Sequence, residues 1–78
     1  IHILVIPKKH IKSLNDLEKE DEYLISKLLF TIKKIAKEQG FAEDGYRVIS
    51  NCGTNGAQEV PHLHFHLLAG KQLGEKIV

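Results

Sequence analysis

A chain of 78 residues holds one domain at most; so short a chain buries only about 60% of its unfolded surface and draws stability from a partner chain, a ligand or further sequence. Eleven basic and ten acidic residues leave a formal charge of +1, which excludes a bulk electrostatic case for nucleic acid or an anionic membrane. A single cysteine, Cys52, excludes an intrachain disulfide framework; no apolar run approaches a membrane span and no signal-peptide pattern is present, so a soluble cytoplasmic protein is expected.

The chain opens on "IHILVIP", a β-branched apolar run that predicts a buried strand ended by Pro7, which cannot donate to a ladder. A strand entered without a Met, a turn or a cap is expected to continue from sequence upstream of Ile1. "KKHIKSLNDL" is a connection. Its Lys8, Lys9 and Lys12 are expected on a solvated loop rather than facing phosphate, and His10 in a structural role. Ser13 and Asp16, or Asn15 and Glu18, have capping-box spacing, so a helical turn begins near there. From about Glu20 to Gln39, Leu24, Ile25, Leu28, Leu29, Ile32, Ile35 and Ala36 recur at spacings of three and four, an apolar stripe that reads as core. Acidic residues gather at the front of this helix, lysines toward its end, and Gly40 suits the position just past it. "GYRVISN" predicts a second strand, "CGTNGAQE" a turn-rich loop and "HLHFHLLA" a third strand closed by Gly70; the tail from residue 71 is left unassigned. Phe30, Phe41 and Tyr46 are read as packing residues. The order β-α-β-β predicts an α+β fold, one helix covering a face of a sheet.

The third strand carries His62, His64 and His66 at alternate positions. Successive strand residues point to opposite faces, so Leu63, Phe65 and Leu67 turn toward the helix and the histidines away from it, onto a wet or polar-lined face. A metal site is one reading, but alternate residues lie roughly 6.6 Å apart along a strand and zinc–nitrogen bonds are roughly 2 Å; one ion can reach two neighbours, not easily all three. Histidines merely tolerated on a solvated face are another. The third is a serial array, in which one neutral imidazole attacks while its neighbours orient it and handle protons. The preceding loop favours this: Gly53 and Gly56 let backbone N–H groups turn inward, a concavity suited to an anion beside the start of the strand. Pro61 pushes Glu59 and Val60 toward extended geometry at the strand's entry. Cys52 reads as a small turn residue rather than a reactive thiol.

"HLHFHLL" has the His-φ-His-φ-His-φ-φ pattern of the histidine triad (HIT) family, φ being apolar. "HILVIPKKHI" and "GYRVISNCGTNGAQEVPHLHFHLLAG" resemble its Hint branch, the purine nucleoside phosphoramidate hydrolases, and the resemblance covers nearly all of the chain. It implies a HIT-like fold with an antiparallel sheet in a homodimer, with residues 1–78 as the C-terminal portion of a single HIT domain whose upstream strands and short helix are missing. It implies hydrolysis of nucleoside 5′-phosphoramidates or related adenylates without a cofactor or metal. His64 becomes the nucleophile on the α-phosphorus, forming a nucleotidyl-histidine that water resolves to a nucleoside monophosphate. His62 orients His64 through its carbonyl, His66 hydrogen-bonds the phosphate or leaving group, and His2 supports the triad and relays protons. Asn51, Gln58 and the backbone of Ala57 and Glu59 contact the phosphate. Glu59 departs from a pattern that places Ser there in some members, and its carboxylate should turn away from phosphate. The implied partner is a purine nucleotide or nucleoside phosphoramidate, an AMP-like ligand; the pocket for its base and ribose lies upstream of Ile1. A nucleotide-binding interaction module with little turnover and a zinc-binding protein are the alternatives.

Overall fold

The structure, a computed structural model, describes residues 1–71, 73 and 74; the rest of the unassigned tail lies outside the described residues. The elements follow the expected order: strand β1 (His2–Val5), helix α1 (Glu22–Glu38), strand β2 (Arg47–Ile49) and strand β3 (Phe65–Leu68), with 3-10 turns at Leu14–Asp16 and Lys19–Asp21 ahead of α1. The sheet is antiparallel with β3 in the middle, in the order β1-β3-β2. Leu4 and Ile49 both lie opposite His66, and His2 lies opposite Leu68.

The middle position falls to the segment with the most regular alternation. Leu63, Phe65, Leu67 and Ala69 are buried, while His62, His64 and His66 between them are half-buried. The buried set meets Leu28, Ile32 and Ala36 of α1, with Ile3, Val5, Leu24, Ile25 and Ile35 packed around it. The ladder is shorter than the alternation: it starts at Phe65, not His62. Toward the front of β3, the partner β1 runs out into Pro7, which has no N–H to extend the pairing.

Two side chains assigned to packing lie elsewhere. Leu29 is 50% exposed and Phe30 66% exposed. At about 100° per residue Leu29 falls on the margin of the stripe and Phe30 on the far side of the helix from Ile32. Tyr46 sits at the core's rim, its ring edge-on to buried Phe41 at 5.9 Å.

The helix ends are local chemistry. At the C-terminus Gly40 takes φ 85°, Phe41 N–H donates to Ala36 O (3.1 Å) and Gly40 N–H to Lys37 O (3.2 Å), the paired bonds of a Schellman motif. At the front, Ser13 and Asp16 organise the first 3-10 turn, with Asn15 N–H on Ser13 Oγ (3.2 Å) and the Ser13 hydroxyl on Asp16 (2.7 Å). A Glu18–Asp21 box leads into α1. Glu18 N–H donates to Asp21 Oδ2 (2.9 Å), and Lys9 Nζ reaches Asp21 Oδ1 (2.5 Å). Lys9 is therefore not a free loop lysine. Its hydrogen bond to buried Asp21 raises its pKa and holds the Asp21 carboxyl below its ordinary range. That ion pair ties the connection after β1 to the start of α1.

Candidate active site

The five histidines of the chain are joined in one series of contacts, His2–His66–His64–His62–His10. His2 Nε2 and His66 Nδ1 share a hydrogen bond of 2.8 Å, their rings 5.0 Å apart. The His66 and His64 rings meet edge to face at 5.0 Å. His64 Nδ1 lies 2.7 Å from the carbonyl oxygen of His62. His62 Nε2 lies 3.2 Å from the Pro7 carbonyl, and its ring meets that of His10 edge-on at 5.0 Å.

These partners set the tautomers. A carbonyl oxygen only accepts, so His64 carries its proton on Nδ1 and its Nε2 presents a lone pair. For the same reason His62 is protonated on Nε2. In the His2–His66 pair one nitrogen donates and the other accepts. If His2 Nε2–H donates, His66 is left with an Nε2–H that can donate onward. Burial, then the neighbouring His64 and His2, lower the His66 pKa below its ordinary 6.5. A lowered histidine pKa means the folded state binds this proton less readily than the unfolded chain. Its contribution to stability is full above pH 6.5 and is lost as pH falls through the folded value. In an NMR titration the His66 ring is expected to change state below pH 6.5; a midpoint above that value contradicts this environment.

The backbone of the row is held where the ladder is absent. The Ser50 hydroxyl donates to the His64 carbonyl at 2.8 Å. Ser50 follows β2 directly, so its side chain continues the pairing that the strand's backbone has stopped making. Nothing in the sequence reading singled it out; its place just after a strand that pairs with the histidine strand is the signal that could have.

The loop between β2 and β3 folds on itself. Asn51 Nδ2 donates to Gly56 O (2.8 Å), Ala57 N–H to Thr54 O (3.0 Å) and Gln58 N–H to Gly53 O (3.0 Å). The Gln58 amide accepts from Gly53 N–H (2.9 Å) and donates to the carbonyls of Lys12 (2.6 Å) and Val60 (3.0 Å). Gln58 thus pins the loop to the connection after β1. The Glu59 side chain is exposed. Gly56 is required by space: a Cβ there lies 2.3 Å from the Cys52 carbonyl oxygen. Ala57 sits at φ 61°, a left-handed conformation that suits glycine. Ala57→Gly is therefore expected to raise stability by up to about 1 kcal/mol, while Gly56→Ala forces the loop apart and lowers it; urea unfolding of both variants checks the opposite signs. The Cys52 thiol is half-buried against the first 3-10 turn. Hydrogen bonding with Ser13, then with the Asn15 backbone, lowers its pKa from 9.0.

Among the described residues no three His, Cys, Asp or Glu side chains are arranged to hold a metal ion. A cavity of about 540 Å³ opens between Phe41, Tyr46, Arg47 and Gly70, and no histidine lines it. No helix of the described residues is long and apolar enough to cross a membrane.

A family model described as HIT domain matches residues 1–73. Purine nucleoside phosphoramidase of Escherichia coli (strain K12) is 47% identical over 73 residues, which is 94% of this chain and 61% of that protein. An uncharacterized HIT-like protein of Buchnera aphidicola subsp. Baizongia pistaciae is 45% identical over 75 residues, 96% of this chain and 67% of that one. The crystal structure of a HIT family hydrolase from Legionella pneumophila Philadelphia 1 superposes with a TM-score of 0.92 at 44% identity, covering 95% of this chain and 66% of its own. The structure of a histidine triad protein from Clostridium difficile gives 0.92 at 53% identity, covering 96% and 65%. The chain thus spans about two thirds or less of the length of these relatives.

Proposed function

Because the chain belongs to the HIT domain family, we propose that it carries the catalytic histidines of a nucleotide-binding hydrolase that cleaves the P–N bond of nucleoside 5′-phosphoramidates or related adenylates. The observation that carries the reading is the His64 ring: its Nδ1–H is held by the His62 carbonyl at 2.7 Å, which orients the ring and leaves Nε2 as the nitrogen that can attack. The named activity of the Escherichia coli relative supports the substrate class.

In this mechanism His64 Nε2 attacks the α-phosphorus, and the P–N bond to the leaving amine breaks. The amine takes its proton from His66 Nε2, and His66 recovers one at Nδ1 from His2 Nε2, across their 2.8 Å hydrogen bond. His2 is exposed and exchanges with solvent. Water then attacks the nucleotidyl-histidine, the phosphorus–His64 bond breaks, and the relay runs in reverse. The products are a free amine and a nucleoside monophosphate. The phosphate side is the part of the loop that carries Asn51, Gln58 and the backbone of Ala57 and Glu59; the Asn51 and Gln58 amides and the Ala57 N–H are spent on carbonyls and shape that loop, and the Glu59 N–H is the donor proposed to meet the phosphate. An N–H donor aimed at a phosphoryl oxygen stabilises charge as it develops.

The same reading includes a homodimer in the cytoplasm. For the dimer, support comes from β2, which pairs with β3 on one side and carries Val48, 40% exposed, and separately from Leu29 and Phe30 on α1, 50% and 66% exposed. Sedimentation of the full-length protein as a stable folded monomer contradicts the dimer.

The deciding assay is release of AMP from adenosine 5′-phosphoramidate by the full-length protein, with an alkaline denaturing quench to trap the nucleotidyl adduct on His64, whose P–N bond is stable in base and cleaved in acid. Tight AMP binding with no release from several leaving groups overturns the hydrolase in favour of a binding module.

A further inference from the structure

The connection from Pro7 to Ile11 touches the histidine row at three points. The Pro7 carbonyl holds His62 Nε2 at 3.2 Å, the His10 ring stands edge-on to the His62 ring at 86°, and the Ile11 carbonyl accepts Leu63 N–H at 2.6 Å. Pro7 and Ile11 are buried, so both ends of the connection are fixed by the core; Lys8 to His10 between them are exposed.

The third contact matters for His64. The N–H of Leu63 and the carbonyl of His62 belong to one peptide unit, which is planar and trans, so the two groups point in opposite directions. Ile11 holds one end of that unit and His64 Nδ1–H sits on the other. Donation from the N–H end also strengthens the carbonyl as an acceptor, because hydrogen bonds in series polarise one another. The side chain on the same residue, His62, is clamped between the Pro7 carbonyl and the His10 ring.

We infer that His10 is a positioning residue: its ring against His62 steadies the His62–Leu63 peptide and so holds His64 in the Nδ1–H tautomer with Nε2 directed outward. The inference rests on the assignment of His64 as nucleophile for its kinetic consequence, but its structural content is independent of that assignment. His10 touches none of the reacting groups, and His62 carries its effect.

The test uses the full-length protein with 15N-labelled histidine. Wild-type His64 shows a protonated Nδ1 and an unprotonated Nε2. In His10→Ala the His64 signals move toward a mixture of tautomers. In His10→Phe, which keeps an aromatic edge against His62 and loses both ring nitrogens, they stay as in the wild type. With adenosine 5′-phosphoramidate, His10→Ala lowers kcat roughly 2- to 12-fold, the range of an edge-to-face ring contact, with KM little changed. His10→Phe restores it. In a His62→Ala background the further loss of His10 has no added effect on either readout. Should His10→Ala fail to fold, His10→Gln, which fills the site without a ring, is read by the same criteria. An unchanged His64 tautomer in both ringless variants overturns the inference even if His64→Ala is inactive. A wild-type protein that releases no AMP overturns the hydrolase reading and leaves the tautomer comparison to decide the role of His10.

Discussion

Full-length protein carrying His64→Ala is expected to release AMP from adenosine 5′-phosphoramidate roughly 10⁴-fold more slowly than the wild type, or worse, as loss of a covalent nucleophile costs other hydrolases. The effect is large because no other ring in the row is equipped to replace it. His62 directs its Nε2–H at the Pro7 carbonyl, and His66 and His2 are engaged with each other. The fold has little reason to respond. His64 is half-buried on the face away from α1, and its carbonyl keeps the Ser50 hydroxyl whatever the side chain. The expected signature is therefore a collapse of kcat, no trapped adduct, AMP affinity near the wild-type value and an unchanged urea midpoint. Equal rates in the two proteins remove His64 from the role of nucleophile, and a fall in the midpoint that accounts for the lost activity does the same.

Leu67→Ala is expected to act on the fold instead. Leu67 is 0% exposed, lies opposite Ile3 on one side and Val48 on the other, and faces α1 from the central strand. Truncation removes buried methyl groups and leaves a cavity that neighbours on two strands and a helix cannot all collapse to fill. Such a change costs roughly 2–5 kcal/mol, a large share of the stability of a small domain. Urea unfolding should show a lower midpoint at an unchanged slope. A loss under about 1 kcal/mol means that the core relaxes around the site more freely than close packing allows. Leu67 and His64 are neighbours on one strand segment, three residues apart, and the two variants separate what each face of that strand does.

Much of the fold was legible because its causes are local. The stripe of α1 follows from the helical period, and the Gly40 terminus from the one residue type that takes φ 85° without cost. The exceptions were positions where period alone is too coarse. Leu29 is apolar and correctly spaced, yet it sits at the margin of the stripe, and Phe30 points to the far side. The turn expected near Ser13 and Asp16 is there, capped by Ser13, but a second box, Glu18–Asp21, precedes α1 and went unread, since Glu18 is not among the residues expected to cap a helix. Its carboxylate partner Asp21 is buried because Lys9, twelve positions earlier, neutralises it.

The site divides in the same way. Alternation along a strand is a property of covalent geometry, so a sequence with His at 62, 64 and 66 and apolar residues between them already places an imidazole row opposite a core face. What the row can do depends on which nitrogen of each ring carries the proton, and that depends on partners far away in the chain. His62 finds the Pro7 carbonyl 55 positions off, and His66 finds His2 at 64. The ladder ends where β1 meets Pro7, so Ser50 and the Pro7–Ile11 connection take over the support of His62 and His64. Residue type and period decided by themselves which face the histidines occupy. Only tertiary contact decided their protons and their order, because a hydrogen bond between distant segments forms only after the sheet and helix have brought them together.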